Sequence, residues 1–124
     1  MKKDLLEEYY EGMKVIGGIK HYDYLPLETL EALVKSKEAD PKEKQNEAPS
    51  IKEMIEFGHR MKEVGCTVLY HGYRVFPPRD DVRVSVEGFR VVVSNDSQEL
   101  MVTRFGGKAD EFDKRSGEIR AWWD

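Results

Sequence analysis

Three histidines hold most of the chemical potential of this 124-residue chain. His21 and Asp23 stand two apart in His21-Tyr22-Asp23-Tyr24, so an extended backbone would place both on one side. His71 lies in Tyr70-His71-Gly72-Tyr73-Arg74, which reads as strand, and His59 falls in a helical pattern. No pair has the i, i+4 spacing of a zinc-protease helix, and H-E-x-x-H is absent. A metal site would require three remote segments to converge, so the sequence predicts no metal and no cofactor. Hydrogen-bonded or solvated histidines are the expectation. His71 beside Tyr73 and Arg74 is the position where hydrolysis or phosphoryl transfer is conceivable.

Other chemistries find less support. Asp110, Glu111, Asp113 and Glu118 cluster around Ser116, but the EF-hand spacing is missing, and a charged hairpin turn explains them. Asp80-Asp81 after Pro77-Pro78-Arg79 reads as a turn for the same reason. Ser85, Ser94, Ser97 and Ser116 lack the G-x-S-x-G surroundings of a nucleophile elbow. Cys66 is the single cysteine, expected as a small buried apolar residue after a helix. Gly17-Gly18 lacks phosphate-loop spacing and reads as a helix stop.

Arginine offers a stronger pattern. Arg60 is the only arginine before residue 67, whereas the remainder of the chain is rich in them. Strand alternation places Arg83 and Arg90 opposite a valine face, and Arg120 with Trp122 opposite Ile119, Ala121 and Trp123. Arg74 and Arg104 are candidates to join them. Guanidinium groups stack and form forked hydrogen bonds, and an indole adds rigid contact area, so this surface suits recognition. The alternative is a solvated face on which Glu99 and Glu111 pair the arginines.

Composition limits the partner. The formal charge is −4, which argues against a polybasic nucleic-acid binder. No apolar run approaches the ~20 residues that cross a bilayer. The acidic start, Asp4-Leu5-Leu6-Glu7-Glu8, does not resemble a signal peptide, and with one cysteine the expected location is the cytoplasm. A charged fraction of 35% with few Asn and Gln resembles proteins from hot environments. A chain of this length buries roughly two thirds of its unfolded surface and can fold without staples.

The elements that would position these residues follow from periodicity. Leu5, Leu6, Tyr9, Tyr10 and Met13 predict a short helix, and Leu27, Leu30, Leu33 and Val34 predict a second one starting near Pro26. Residues 39–49 are polar with two prolines and read as a mobile linker between segment 1–38 and a core at 50–124. Ser50 and Glu53 form a capping box for a helix over 50–64, ended by Gly65. From Thr67 the period is two. Glu87-Gly88 is expected to turn a hairpin between 82–86 and 89–93, since 86 then faces 89 and Val82, Val84, Val86, Phe89, Val91 and Val93 share a face. Asn95–Gln98 reads as another turn, leading into a strand over 100–105. A four-residue loop, 114–117, would pair Phe112 with Ile119 and Glu111 with Arg120.

The sequence therefore predicts an α+β fold: an antiparallel sheet of five or six strands within 67–124, covered on one face by helix 50–64, with N-terminal helices. The leading functional expectation is a non-catalytic protein-interaction module with a protein partner or a second copy, given surplus aromatics such as Tyr9, Tyr10, Tyr22, Tyr24 and Trp122. RNA or single-stranded nucleic-acid binding on the arginine face comes second. A hydrolase using His71 comes third.

Overall fold

The computed structural model describes residues 4–12 and 15–124. Its centre is one five-stranded antiparallel sheet. The strands are β1 (Ile19–Pro26), β2 (Val68–Val75), β3 (Arg83–Val92), β4 (Glu111–Arg115) and β5 (Glu118–Trp122), in the order β1-β2-β3-β5-β4. Among the described residues three α-helices accompany it: α1 (Leu27–Lys35), α2 (Ile51–Glu63) and α3 (Asp96–Gly106). The fold is α+β. Among the described residues no helix is long and apolar enough to cross a membrane.

Helix α2 begins where its chemistry dictates. The Ser50 side chain accepts from the Glu53 amide at 3.2 Å, and Glu53 accepts from the Ser50 amide at 3.0 Å. Met54, Phe57 and Met61 then recur on one face and are buried. Phe57 meets Phe89 of β3 at 4.9 Å and stacks on Phe105 of α3 at 4.1 Å, nearly parallel. The Tyr70 hydroxyl donates to the Met54 carbonyl at 2.6 Å. Gly58 permits this approach, because a Cβ there would strike the Tyr70 hydroxyl and come within 2.9 Å of Leu27. Leu27, Leu30 and Leu33 of α1 belong to the same core as Phe57, Phe89 and Trp123.

Several sequence expectations are corrected. Residues 83–92 form one strand, not a hairpin turning at Glu87-Gly88. His71 pairs with Gly88 and Gly72 with Val86, so Glu87 is the extra residue of a β-bulge. A bulge and a two-residue turn both bring 86 and 89 to one face, which is why the apolar pattern fits either. Residues 96–106 are helix α3, not a turn followed by a strand: the Asn95 side chain accepts from the Gln98 amide at 2.9 Å, and Gln98 Oε1 accepts from the Ser94 amide at 2.7 Å. The last hairpin turns on two residues, Ser116 (φ 51°) and Gly117 (φ 84°), so Phe112 faces Ala121 and Asp113 faces Arg120.

The N-terminal region also departs from expectation. Strand β1 adds to the sheet from outside 67–124. The first helix is only a 3-10 turn, Glu7–Tyr9, after which Tyr10 bridges to Tyr22; Met13 lies outside the described residues. Gly17 and Gly18, both at positive φ, turn the chain between Ile16 and Ile19 instead of stopping a helix. Segment 39–49 contributes Ala39 and Ala48 to the core. It also reaches the sheet, where Gln45 accepts from the Tyr73 hydroxyl at 2.6 Å and Glu43 lies 3.3 Å from Arg83 Nε.

Candidate functional site

Pairing across the sheet assigns side chains to its two faces. Tyr70, Phe89 and Ala121 form one row on the helix side. The next row, His71, Gly88 and Trp122, faces the other way, as do Leu69, Arg90 and Arg120. This second face is the polar side of the sheet; it is open at Arg120 and Trp122 and buried at Tyr73, Ser85 and Val75. Two irregularities shape it at the level of His71: the bulge at Glu87, and a register shift in β1 between Tyr22 and Leu25. In the latter, Tyr24 sits at φ 57°, and its amide donates to Asp23 Oδ1 at 2.7 Å. A left-handed tyrosine is strained, and here it turns Asp23 and Tyr24 together onto Arg90. Asp23 Oδ2 lies 2.6 Å from the guanidinium, whose centre is 4.3 Å from the Tyr24 ring.

A cleft of about 160 Å³ opens on this face, lined by His21, Asp23, His71, Glu87, Arg120 and Trp122 among others. The Trp122 indole N–H donates a long bond, 3.4 Å, to Glu87 Oε2. His21 Nδ1 is 3.7 Å from Glu87 Oε1. His71 meets the Trp122 ring edge-on at 6.3 Å, and the exposed Arg120 guanidinium lies over the same indole at 5.3 Å.

Burial sets the charge states. It pushes the His71 imidazole down to about 4, and the Arg120 and Arg90 charges act in the same direction against Asp23. The ring is therefore neutral near neutral pH. Its Nε2 is shut off from solvent and makes no hydrogen bond. Burial pushes the Glu87 carboxyl up, opposed by the Trp122 bond and His21. The site thus holds a neutral imidazole and a carboxylate whose charge is poorly compensated.

The predicted site residues separate. Arg90, Arg120 and Trp122 come together on the open face. Arg90 is engaged by Asp23 and, at 3.7 Å, by Glu118. Arg83 shares the face but pairs with Asp81 at 2.9 Å and with Glu43. Arg74 aligns with Val84 on the helix-side face, bound to Asp4 at 2.9 Å and Glu38 at 3.3 Å. Arg104 lies on α3, exposed and off the sheet. His21, Asp23 and Glu87 were not among the predicted site residues. The two-residue spacing of His21 and Asp23 carries their signal, whereas Glu87 is hidden when Glu87-Gly88 is read as a turn.

Among the described residues that line the cleft with His71 there is no Ser, Thr or Cys. Ser85 is fully buried with its hydroxyl unpaired, and burial raises the Cys66 thiol above its ordinary range. His59 pairs with Glu31 at 2.9 Å, between α2 and α1. Among the described residues no group of three or more His, Cys, Asp or Glu could hold a metal ion. The arrangement can accept and donate hydrogen bonds and receive charge at a shaped, half-enclosed surface. No protein-family model, curated protein or solved structure matches this chain, so its function is read from the chemistry of this site.

Proposed function

We propose that this chain is a recognition module that binds another polypeptide through the open face of its sheet, with Trp122 and Arg120 at the centre of the contact. The observation that carries this reading is the setting of Trp122. It is half-buried at the cleft, held by Glu87 and His71, with its ring stacked under Arg120, whose charge has no carboxylate partner among the described residues. Tryptophan and arginine are two of the residue types most enriched among those that dominate binding energy at protein interfaces. The other arginines favour a polypeptide over a nucleic acid. Arg74, Arg83 and Arg90 each hold carboxylates, which phosphates would have to displace, and the net charge of −4 opposes a polyanion.

Selection from a random peptide library on the full chain, followed by mapping of amide shifts, tests this. Selected peptides should move Gly88, Arg120 and the Trp122 indole, while mixed single-stranded RNA at low salt should leave them in place. Perturbations confined to the helices, or saturable RNA binding at the same residues, would overturn it.

A further inference from the structure

The sheet ends on β1 at one side and on β4 at the other. The outer side of β1 is covered: Tyr10 bridges to Tyr22, and the Glu11 amide donates to the His21 carbonyl at 2.8 Å. Beside β4 no further strand lies among the described residues. We propose that this edge pairs with β4 of a second copy of the chain, antiparallel and about a two-fold axis at Asp113, joining two five-stranded sheets into one. The contact is separate from the Trp122 surface and leaves it free.

Backbone accounting fixes the register. The two-residue turn makes Arg115 and Glu118 a hydrogen-bonded pair, and such pairs recur at every second residue. Glu111, Asp113 and Arg115 therefore turn their backbone groups towards β5. Phe112 and Lys114 turn theirs outward, an N–H donor and a C=O acceptor each. Setting Phe112 opposite Lys114 of the second copy, and Lys114 opposite its Phe112, satisfies all of them. The neighbouring registers set Lys114 against Asp110, or Phe112 against Ser116 at φ 51°, both outside the strand.

Charge complementarity agrees with that register and names the occupant. Glu111 then lies directly opposite Arg115 of the second copy, and Arg115 opposite its Glu111; both side chains are exposed. Opposite charges facing each other across strands stabilise a sheet, and like charges do the reverse. The register shifted towards Asp110 would instead set Glu111 against Asp113 of the second copy. Charge on an edge strand ordinarily repels a copy of itself. Here Glu111 and Arg115, of opposite sign and equally spaced about Asp113, attract one. Asp113 meets its own copy on the axis, a like-charge contact eased by Arg115 Nε, 3.0 Å from its carboxylate.

Sedimentation equilibrium of the full chain, with charge reversals at the exposed edge, tests this. The chain should pass reversibly from monomer to dimer with Kd on the order of 0.1 mM, since the paired edge is short. Amide exchange at Phe112 and Lys114 should slow as the concentration rises. Glu111→Arg or Arg115→Glu alone should weaken the dimer by about tenfold, and the two together should restore it to within about threefold. Asp113→Asn should strengthen it by about threefold. A chain that stays monomeric up to about 1 mM, or a dimer indifferent to both single reversals, would overturn the proposal. So would a dimer lost in Trp122→Ala but kept in Glu111→Arg, which would place the contact on the open face.

Discussion

The imidazole of His71 occupies the space that a side chain at Gly88, its partner on the neighbouring strand, would fill. A Cβ at position 88 would come within 2.8 Å of His71 Nε2 and would strike the Ala121 carbonyl. The bulge that sends Glu87 into the cleft and the glycine that follows it are thus one device. Gly88→Ala should destabilise the chain by about 2 kcal/mol through overpacking and displace His71. Denaturant unfolding gives the first quantity and the shift of the His71 ring protons the second. A fully stable variant with unmoved ring resonances would show that the strand yields there instead.

The two adjacent tryptophans should behave oppositely. Trp123 is 3% exposed and packs 6.2 Å from Phe89, whereas Trp122 is half-buried on the open face. Trp123→Ala should lose about 3–5 kcal/mol of stability, by lost burial and a cavity. Trp122→Ala should lose much less. Urea midpoints of the two variants decide the order, and a larger loss at Trp122 would contradict this assignment of faces.

Acid should weaken the fold through His71 before ordinary carboxylates titrate. The ring has a pKa of about 4 when folded against 6.5 ordinarily, so between those values the unfolded chain binds the additional proton. This contribution is complete above 6.5, declines as pH falls, and is gone by about 4, a loss of about 3 kcal/mol. Glu87 acts in the opposite sense, because its raised pKa lets the folded state take up a proton sooner and relieves its burial. Unfolding free energies measured across this range should slope downward with acid, and His71→Gln should flatten the slope. A slope unchanged in that variant would place the titrating group elsewhere.

Removing the α2 cap should be felt globally, since Phe57 of that helix joins β3 to α3. Ser50→Ala should lower stability by about 1 kcal/mol at an unchanged denaturant slope. An unaltered midpoint would mean that the Glu53 half of the capping box suffices.

What was legible in the sequence depended on whether a local pattern had one solution. Ser50, Glu53 and Gly65 admit only a helix between them, and the parity of Ile119, Ala121 and Trp123 admits only one inward face; both are found in the structure. The stretch 82–93 admitted two solutions, because a bulge at Glu87 and a turn at Glu87-Gly88 leave the same valine face. Pairing with β2 and β5, which is not local, decides between them. Helix α3 did carry a signal. Asn95 followed by Gln98 is an N-terminal cap, and Met101, Val102, Phe105 and Gly106 keep helical spacing, but the preceding β-rich run suggested continued alternation. The placement of Arg120 and Trp122 on the face opposite Ile119, Ala121 and Trp123 was legible from alternation alone. His21, Asp23, His71 and Glu87 meet only because β1 joins the sheet beside β2, a contact between segments about fifty residues apart.

The most direct measurement of the central claim is the affinity of Trp122→Ala for a peptide selected on the unaltered chain. The account predicts a loss of about tenfold or more, about 1.4 kcal/mol, with folding stability largely retained. Undiminished affinity in a folded Trp122→Ala variant would contradict it, and would move the binding surface away from the open face of the sheet.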